Sequence, residues 1–463
     1  MCDADRLPSS SLIKELRTNA LEIFGAGVAA ADPFKAVLHC LKAGPHHLEI
    51  VLDIEDPERK RSGRWRQIFL IAFGKAACAM ASAALVCLRS EFENIQGLVV
   101  TNRENAVAIP EFKVLTAGHP LPDAEGLHAV TEIQRLLATT TRDDLVLVLV
   151  SGGGSALLPG PLSPVTLVDK IATTNLLLAS GASIDQINIV RKHLSSIKGG
   201  GLAKLAAPAD VHTLILSDVL SNEVSSIASG PTVADPSSFS DAQAILQSKQ
   251  LWHKVPAHVV EVINAGIQGQ ISETPKPSDQ VFHRSYYTLI GSNRLSLNAI
   301  EQAAQQLHYQ TLIYSDHLCG EARLEALKLV DFIGELLSNG LQQPTAILAG
   351  GETTVTLTGN GKGGRNQEFA LAFALAAEQR LPKCWVLLSG GTDGRDGPTE
   401  AAGGLVDATS LTRLRTQSLD TRALLDNNDA YHALQAIDDL LITGATGTNV
   451  ADLLIVLLHP LLN

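Results

Sequence analysis

The sequence predicts an α/β protein of two domains built on parallel sheets. Short apolar strands alternate with helical stretches along nearly all of its 463 residues, the pattern that crossover connections between parallel strands produce. That length exceeds what one ordinary core fills. A polar, proline-rich stretch at 271–279 with no periodicity reads as the connection between domains, giving a division into 1–280 and 281–463. Apolar residues are plentiful (45%), aromatics scarce (4%) and glycines abundant (37), a mixture that suits packed layers joined by tight turns.

Taken in order, residues 67–73 read as a strand, and Gly74-Lys75 turns it into an alanine-rich helix through Ala79, Ala81, Ala84, Leu85 and Leu88. Residues 97–101 and 112–115 are further short strands. The run Leu145–Val150 has no polar interruption, so it is expected to be buried on both faces. Residues 213–216 form another strand, ending at Ser217-Asp218. Beyond the proline-rich stretch, a strand at 287–290 and a helix at Asn293–Gln306 restart the alternation. Strands are expected at 311–314, 346–348, 386–388 and 453–457.

Charge and composition exclude several classes. A formal charge of −12 argues against a nucleic-acid surface, which needs a basic stripe. Any phosphate site must then be a local pocket of positive charge in an acidic molecule. The longest apolar runs are strand-length and too short to span a bilayer. Asp3 and Asp5 precede any apolar run, so the N-terminus does not read as a leader, and a soluble cytoplasmic protein is expected. The six cysteines (Cys2, Cys40, Cys78, Cys87, Cys319, Cys384) lack paired short spacings and read as reduced thiols, neither a disulfide frame nor a zinc site.

Three apolar strands each run into a glycine pair and a polar group: Ser151-Gly152-Gly153-Gly154-Ser155, Gly350-Gly351-Glu352-Thr353 and Ser389-Gly390-Gly391-Thr392-Asp393. Ligands of open α/β sheets bind beyond strand C-termini, where glycine lets backbone approach them. The stretch after Glu352 reads as a strand at 355–358, then Gly359, Gly361, Gly363 and Gly364 around Lys362, then Arg365-Asn366 opening an apolar helix. Uncovered N–H groups at such a turn, with the helix dipole and two cations, suit a phosphate. Gly359, Gly361 and Gly364 also satisfy G-x-G-x-x-G. A dinucleotide site wants an acidic residue at the end of the next strand; here that strand ends in Ser389-Gly390-Gly391, which argues against a nicotinamide.

Other candidates follow from position. Lys75 stands at a strand end and helix start, flanked by small residues. Arg191 and Lys198 lie close to Gly199-Gly200-Gly201 at a helix end, where basic residues also complement the helix dipole. Asp218, at a strand end, can ligate Mg²⁺ or accept a hydroxyl proton, and Asp393 and Asp396 have the same opportunity. No register of 389–403 satisfies a calcium loop, and neither a Walker loop nor protein-kinase signatures nor a G-x-S-x-G elbow occurs.

Together the segments resemble one family, the class II glycerate 2-kinases that carry a C-terminal MOFRL domain. The resemblance rests on Gly74-Lys75-Ala76, Ala117-Gly118-His119-Pro120-Leu121-Pro122-Asp123, Ser151 to Leu157, Arg191-Lys192-His193-Leu194-Ser195, Lys198-Gly199-Gly200, Leu216-Ser217-Asp218-Val219 and Ser229-Gly230-Pro231-Thr232. It continues with Gly350-Gly351-Glu352-Thr353, Gly363-Gly364-Arg365-Asn366-Gln367-Glu368, Thr392-Asp393-Gly394 and Thr446-Gly447-Thr448-Asn449-Val450-Ala451-Asp452. The order is the family's own across about residues 15 to 458. Arg395, where the family often has an apolar residue, and Ala451, in place of a common polar one, are departures.

The resemblance implies a Rossmann-like three-layer N-terminal domain, a smaller α/β MOFRL domain, and an active site in the interdomain cleft. It implies ATP-dependent phosphorylation of D-glycerate at its 2-hydroxyl, with Mg²⁺, and functional roles for Lys75, Asp218 and Arg365. Lys75 and Arg365 would neutralise the transferring phosphoryl. Asp218 would orient or deprotonate the hydroxyl or hold Mg²⁺, with Asp393 the other metal candidate. Gly152, Gly153, Gly154, Ser155, Arg191, Lys198, Glu352, Gly361, Gly363, Gly364, Asn366 and Asp393 are the expected substrate and ATP contacts. The rival expectation is an NAD(P)H-dependent hydroxypyruvate reductase, a label attached to some relatives of this family.

Overall fold

A computed structural model describes residues 10–45, 47–219, 223–338 and 340–460. The chain forms two compact units, Pro33–Ile290 and a second made of Met1–Asp32 with Gly291–Asn463.

The unit Pro33–Ile290 is built on a six-stranded sheet. Its strand order is Phe112–Thr116, Ile95–Thr101, Ile68–Phe73, Leu145–Val150, Asp210–Leu216 and Ser285–Gly291. The first five are parallel to their neighbours. Ile68–Phe73 and Leu145–Val150 are buried at every position, as a strand covered on both faces must be. Alternation of side chains sends Phe69, Ile71 and Phe73 to one face, against Ala129 and Ile133 of the helix Ala124–Leu137. The alanine-rich helix Ala77–Leu88 packs on the same strands. Helices Leu167–Ala179, Ile184–His193, Phe239–Ser248 and Ala257–Ile267 share a separate core of Leu177, Ile187, Val190, Phe239 and Val259. A small antiparallel sheet, Leu41–Gly44, His47–Val51 and Lys60–Gly63, had no clear signal in the sequence.

His212, on the strand Asp210–Leu216, is fully buried with Nε2 3.0 Å from Thr288 Oγ1. Burial and the Arg61 guanidinium push it down to about 3. The unfolded chain takes up a proton near pH 6.5 that the folded chain refuses, so stability is lost as pH falls from about 6.5 toward 3. At about 1.4 kcal/mol per pH unit the window holds a few kcal/mol. Urea melts of a His212→Leu variant between pH 7 and 4 should show a flatter acid dependence than wild type; parallel curves would remove His212 as the cause.

The other unit carries the sheet order Gln310–Glu321, Thr345–Thr354, Asp452–Leu458, Trp385–Gly391, Gly403–Asp407 and Leu440–Leu441. Only the first pair is parallel; Asp452–Leu458 runs antiparallel to both neighbours. The expectation of parallel sheets throughout is thus corrected, since apolar runs of strand length carry no direction. Residues 453, 455 and 457 face the helices Ser10–Ala30 and Asn293–Gln306, while 454 and 456 face Ala322–Ser338 and Arg365–Ala377.

Three further expectations are corrected. The first helix belongs with the C-terminal unit, not with 33–280. Its stripe of Leu16, Ala20, Ile23 and Phe24 packs on that sheet, a Cβ at Gly27 would come within 2.5 Å of Ile300 and Leu453, and Arg17 bridges the buried Asp407 (2.7 Å) and Asp439 (2.9 Å). The stretch 271–279 is no free connection. Thr274 Oγ1 donates to Asp235 (3.0 Å) and Asp235 N–H to the Pro275 carbonyl (3.0 Å), which ties it to the first unit, and the division falls after Ile290. Residues 355–358 are irregular, the strand ending at Thr354. The Thr358 and Gly359 N–H groups instead donate to Asn428 Oδ1 (2.7 and 2.9 Å).

Candidate active site

Three adjacent strand ends of the first unit bring Lys75, Gly152 and Asp218 together. The turn after Ile68–Phe73 needs glycine at 74, whose φ is +123° and whose Cβ would fall 2.2 Å from Ser151 Oγ. That hydroxyl accepts the Ala76 N–H (3.0 Å), and the Lys75 N–H donates to the Gly152 carbonyl (2.9 Å). The turn carrying Lys75 is therefore stitched to the glycine turn of the neighbouring strand. A Cβ at Gly152 would lie 2.3 Å from Asp218 Oδ2, so the carboxylate rests against bare backbone. At Gly153 (φ +85°) a Cβ would sit 3.1 Å from His119 Nε2 and 3.5 Å from Lys75 Cγ. Burial raises Asp218 above the usual carboxylate range, with the Lys75 ammonium partly offsetting it. Burial and Lys75 together hold the His119 imidazole low, hence neutral at pH 7.

Beside His119 and Gly153 opens a cavity of about 350 Å³. Its walls include Leu121, Ser155, Ile171 and Leu178, and three cations, Lys170, Arg191 and Lys198. Lys170 and Lys198 are only 6% and 3% exposed, and Arg191 is half-buried. Lys170 donates to the Pro159 carbonyl, and Lys198 to that of Ser155 (3.0 Å). Burial pushes Lys198 down to about 7, Arg191 lowering it further, and drives Lys170 well below its ordinary value. Lys170 was missed in the sequence, although its position was readable: residues 170, 173 and 177 are the buried stripe of Leu167–Ala179.

In the other unit Arg365 opens the helix Arg365–Ala377 but is no lone cation. Its Nε and one terminal nitrogen grip Asp452 (2.5 and 2.9 Å), and the other meets Glu352 at 2.8 Å. Those carboxylates raise its pKa despite burial. Gly351 and Gly391 are the register partners of Asp452 on the two flanking strands, and a Cβ at Gly351 would lie 2.1 Å from the Leu318 carbonyl. The glycine pairs thus pack the sheet around Asp452, a residue the sequence reading had not singled out for Arg365.

At the expected phosphate cradle, 361–364, two of the N–H groups are engaged within the protein. Gly361 N–H donates to the Asn427 carbonyl (2.9 Å) and Lys362 N–H to Asp429 Oδ1 (3.0 Å). The helix start is filled by Asp396, which accepts from the N–H groups of Asn366 (3.2 Å) and Gln367 (2.9 Å). Gly364 makes room for it, since a Cβ there would lie 2.3 Å from Asp396 Cγ. Asn366 is buried, its Oδ1 accepting from Ser389 Oγ (2.7 Å). Asp393 is half-buried and accepts the Arg395 N–H (2.9 Å). Among the described residues no group of three or more His, Cys, Asp or Glu side chains is arranged to hold a metal ion, and no helix is long and apolar enough to cross a membrane.

A lysine and a carboxylate of raised pKa at the ends of the two strands flanking Leu145–Val150, beside a cavity lined by basic side chains, define an α/β enzyme with an anion-receptive site. Residues 19–264 match the family described as "Domain of unknown function (DUF4147)", and residues 345–452 match the MOFRL family. The chain belongs to the MOFRL-containing glycerate kinase family. It is 39% identical to a glycerate 2-kinase from Pyrococcus horikoshii, over 95% of this chain and 97% of that one. It is 40% identical to an Agrobacterium vitis protein provisionally named a hydroxypyruvate reductase, over 94% and 93%. The crystal structure of a Thermotoga maritima glycerate kinase superposes with a TM-score of 0.83 at 36% identity, over 96% of this chain and all (100%) of that one.

Proposed function

We propose that this chain transfers the γ-phosphoryl group of ATP to the 2-hydroxyl of D-glycerate, giving 2-phosphoglycerate and ADP. The observation that carries the reading is the placement of Lys75 and Asp218 on either side of Gly152, at the ends of the two parallel strands that flank Leu145–Val150. Phosphoryl transfer asks a protein mostly for positioning and charge stabilisation. Asp218 accepts the hydroxyl proton, the freed oxygen bonds to the γ-phosphorus, and the bridging oxygen leaves with ADP and its electron pair. The raised pKa of Asp218 makes it a better base than an ordinary aspartate. The Lys75 ammonium offsets charge on the migrating group.

Arg365 is proposed as a further cation for phosphoryl transfer, with Asp452 and Glu352 fixing its guanidinium. Mg²⁺ fits here as an ion that arrives with its nucleotide, held largely by phosphate oxygens and water, because among the described residues no three His, Cys, Asp or Glu side chains are grouped to hold a metal. Asp218 and Asp393 are the candidate carboxylates to touch it, and the ion would neutralise phosphate charge. The provisional reductase label finds no support in an acidic partner for the G-x-G-x-x-G turn, whose N–H groups at Gly359 and Gly361 are moreover bonded within the protein.

The test is to incubate the chain with D-glycerate, ATP and Mg²⁺ and couple the product to enolase, which accepts 2-phosphoglycerate directly, with hydroxypyruvate and NADH run alongside. ADP with enolase-competent product is expected. NADH oxidation without phosphorylation of glycerate would sink the kinase reading.

A further inference from the structure

We propose that Lys170, Arg191 and Lys198 form the subsite that receives the carboxylate of the acceptor, a small 2-hydroxy acid, in the cavity beside Lys75. The inference rests on the kinase reading above. Its basis is an imbalance of charge. Three cations share one cavity wall, two of them almost fully buried, and no carboxylate among the cavity's lining residues faces them. The acidic groups on the flanking elements are engaged elsewhere. Asp169 is held by Thr166 and His258, Asp235 by Lys192, and Glu273 by His193 and Lys276. His119, the remaining titratable group of the wall, is neutral at pH 7.

Burying a cation without a counter-charge is costly, and like charges side by side add to the cost. Packing alone would favour a leucine or methionine at 170, on the buried stripe of its helix. A ligand that brings the missing negative charge resolves the imbalance. Gly153 links this cavity to the reacting groups, because His119 and the Lys75 stem both lie over it. An acid seated with its carboxylate on the three cations would turn its hydroxyl toward Lys75 and Asp218.

The nucleotide's phosphate tail is a poorer match. Polyphosphates are commonly cradled by a row of backbone N–H groups, whereas the charge here comes from side chains at one enclosed site. A volume of about 350 Å³ stands at the small end of ligand pockets. Lys198, titrating near 7, also keeps the empty site from carrying a permanent triple charge. Above that pH the empty site has shed the proton and a bound anion calls it back, so binding takes up protons and weakens as pH rises from about 6.5 to 8.5.

The experiment is calorimetric titration of D-glycerate into the full chain without nucleotide, beside KM values for both substrates. Lys170→Met should weaken D-glycerate by at least about 10-fold, leave KM for ATP within about 2-fold, and raise Tm because a buried amine without a counter-charge is gone. Arg191→Gln, on the half-buried part of the wall, should show the same split between substrates. Titrations at pH 7.5 in buffers of different ionisation enthalpy should show proton uptake in wild type and less in Lys198→Met. Unchanged D-glycerate affinity in both Lys170→Met and Arg191→Gln overturns the assignment while wild-type turnover keeps the kinase reading intact. A loss that falls on ATP instead also overturns it, giving the subsite to the nucleotide. A wild-type chain that neither binds nor phosphorylates D-glycerate overturns both readings.

Discussion

Replacing Asp218 by Asn should lower kcat for D-glycerate phosphorylation by roughly 10²- to 10⁴-fold, the range for removing a general base, with little change in Tm. The amide keeps the shape that rests against Gly152 and removes only the ability to take a proton. Because burial raises the Asp218 carboxyl, the acid limb of kcat/KM should stand above the ordinary aspartate range. Activity needs the ionised form and is lost as pH falls through that raised value. Lys75 now holds the pKa partly down, so the residual activity of Lys75→Met should lose its acid limb at a still higher pH. A wild-type acid limb below pH 4, or a Lys75→Met limb that stays put, would mean that another group takes the proton. Near-normal turnover in Asp218→Asn would remove the base altogether.

Lys75 and Asp218 were legible because strand alternation is local: an apolar run followed by Gly-Lys or Ser-Asp places the polar residue at a strand end wherever the strand goes. The glycines at 152 and 153 were legible for the same reason. What failed was everything decided across long stretches of chain. Arg365 read as a free cation beside a phosphate loop, but its partner Asp452 lies 87 residues away, beyond any spacing rule. The donors of that loop read as open, yet the segment 427–429 had taken those of 359–362 and Asp396 those of Asn366 and Gln367. Strand direction in the second sheet and the allegiance of Ser10–Ala30 were hidden likewise, because neither has a local correlate. Lys170 is a different failure. The lysine stands on the buried stripe of its helix, where a charged group without a counter-charge is the informative observation.

Arg365→Ala should abolish most turnover and also destabilise the second unit, and the two losses can be separated. Removing the guanidinium strands Asp452, whose side chain is 10% exposed and whose charge also bears on Asp396. Breaking a buried pair from one side costs about 3–5 kcal/mol; Arg365 is itself 32% exposed, so about 2 kcal/mol is the better expectation here. Adding Asp452→Ala to Arg365→Ala takes away the stranded charge, and denaturant melts should recover much of that loss. Turnover should stay down in the double variant, because no cation returns to the phosphoryl group. Arg365→Lys should keep part of the stability and little of the rate, since an ammonium cannot hold Asp452 through two nitrogens and Glu352 through a third. If the double variant regained turnover along with its stability, Arg365 would be a structural tie for Asp452 and the charge stabilisation would fall to Lys75 alone.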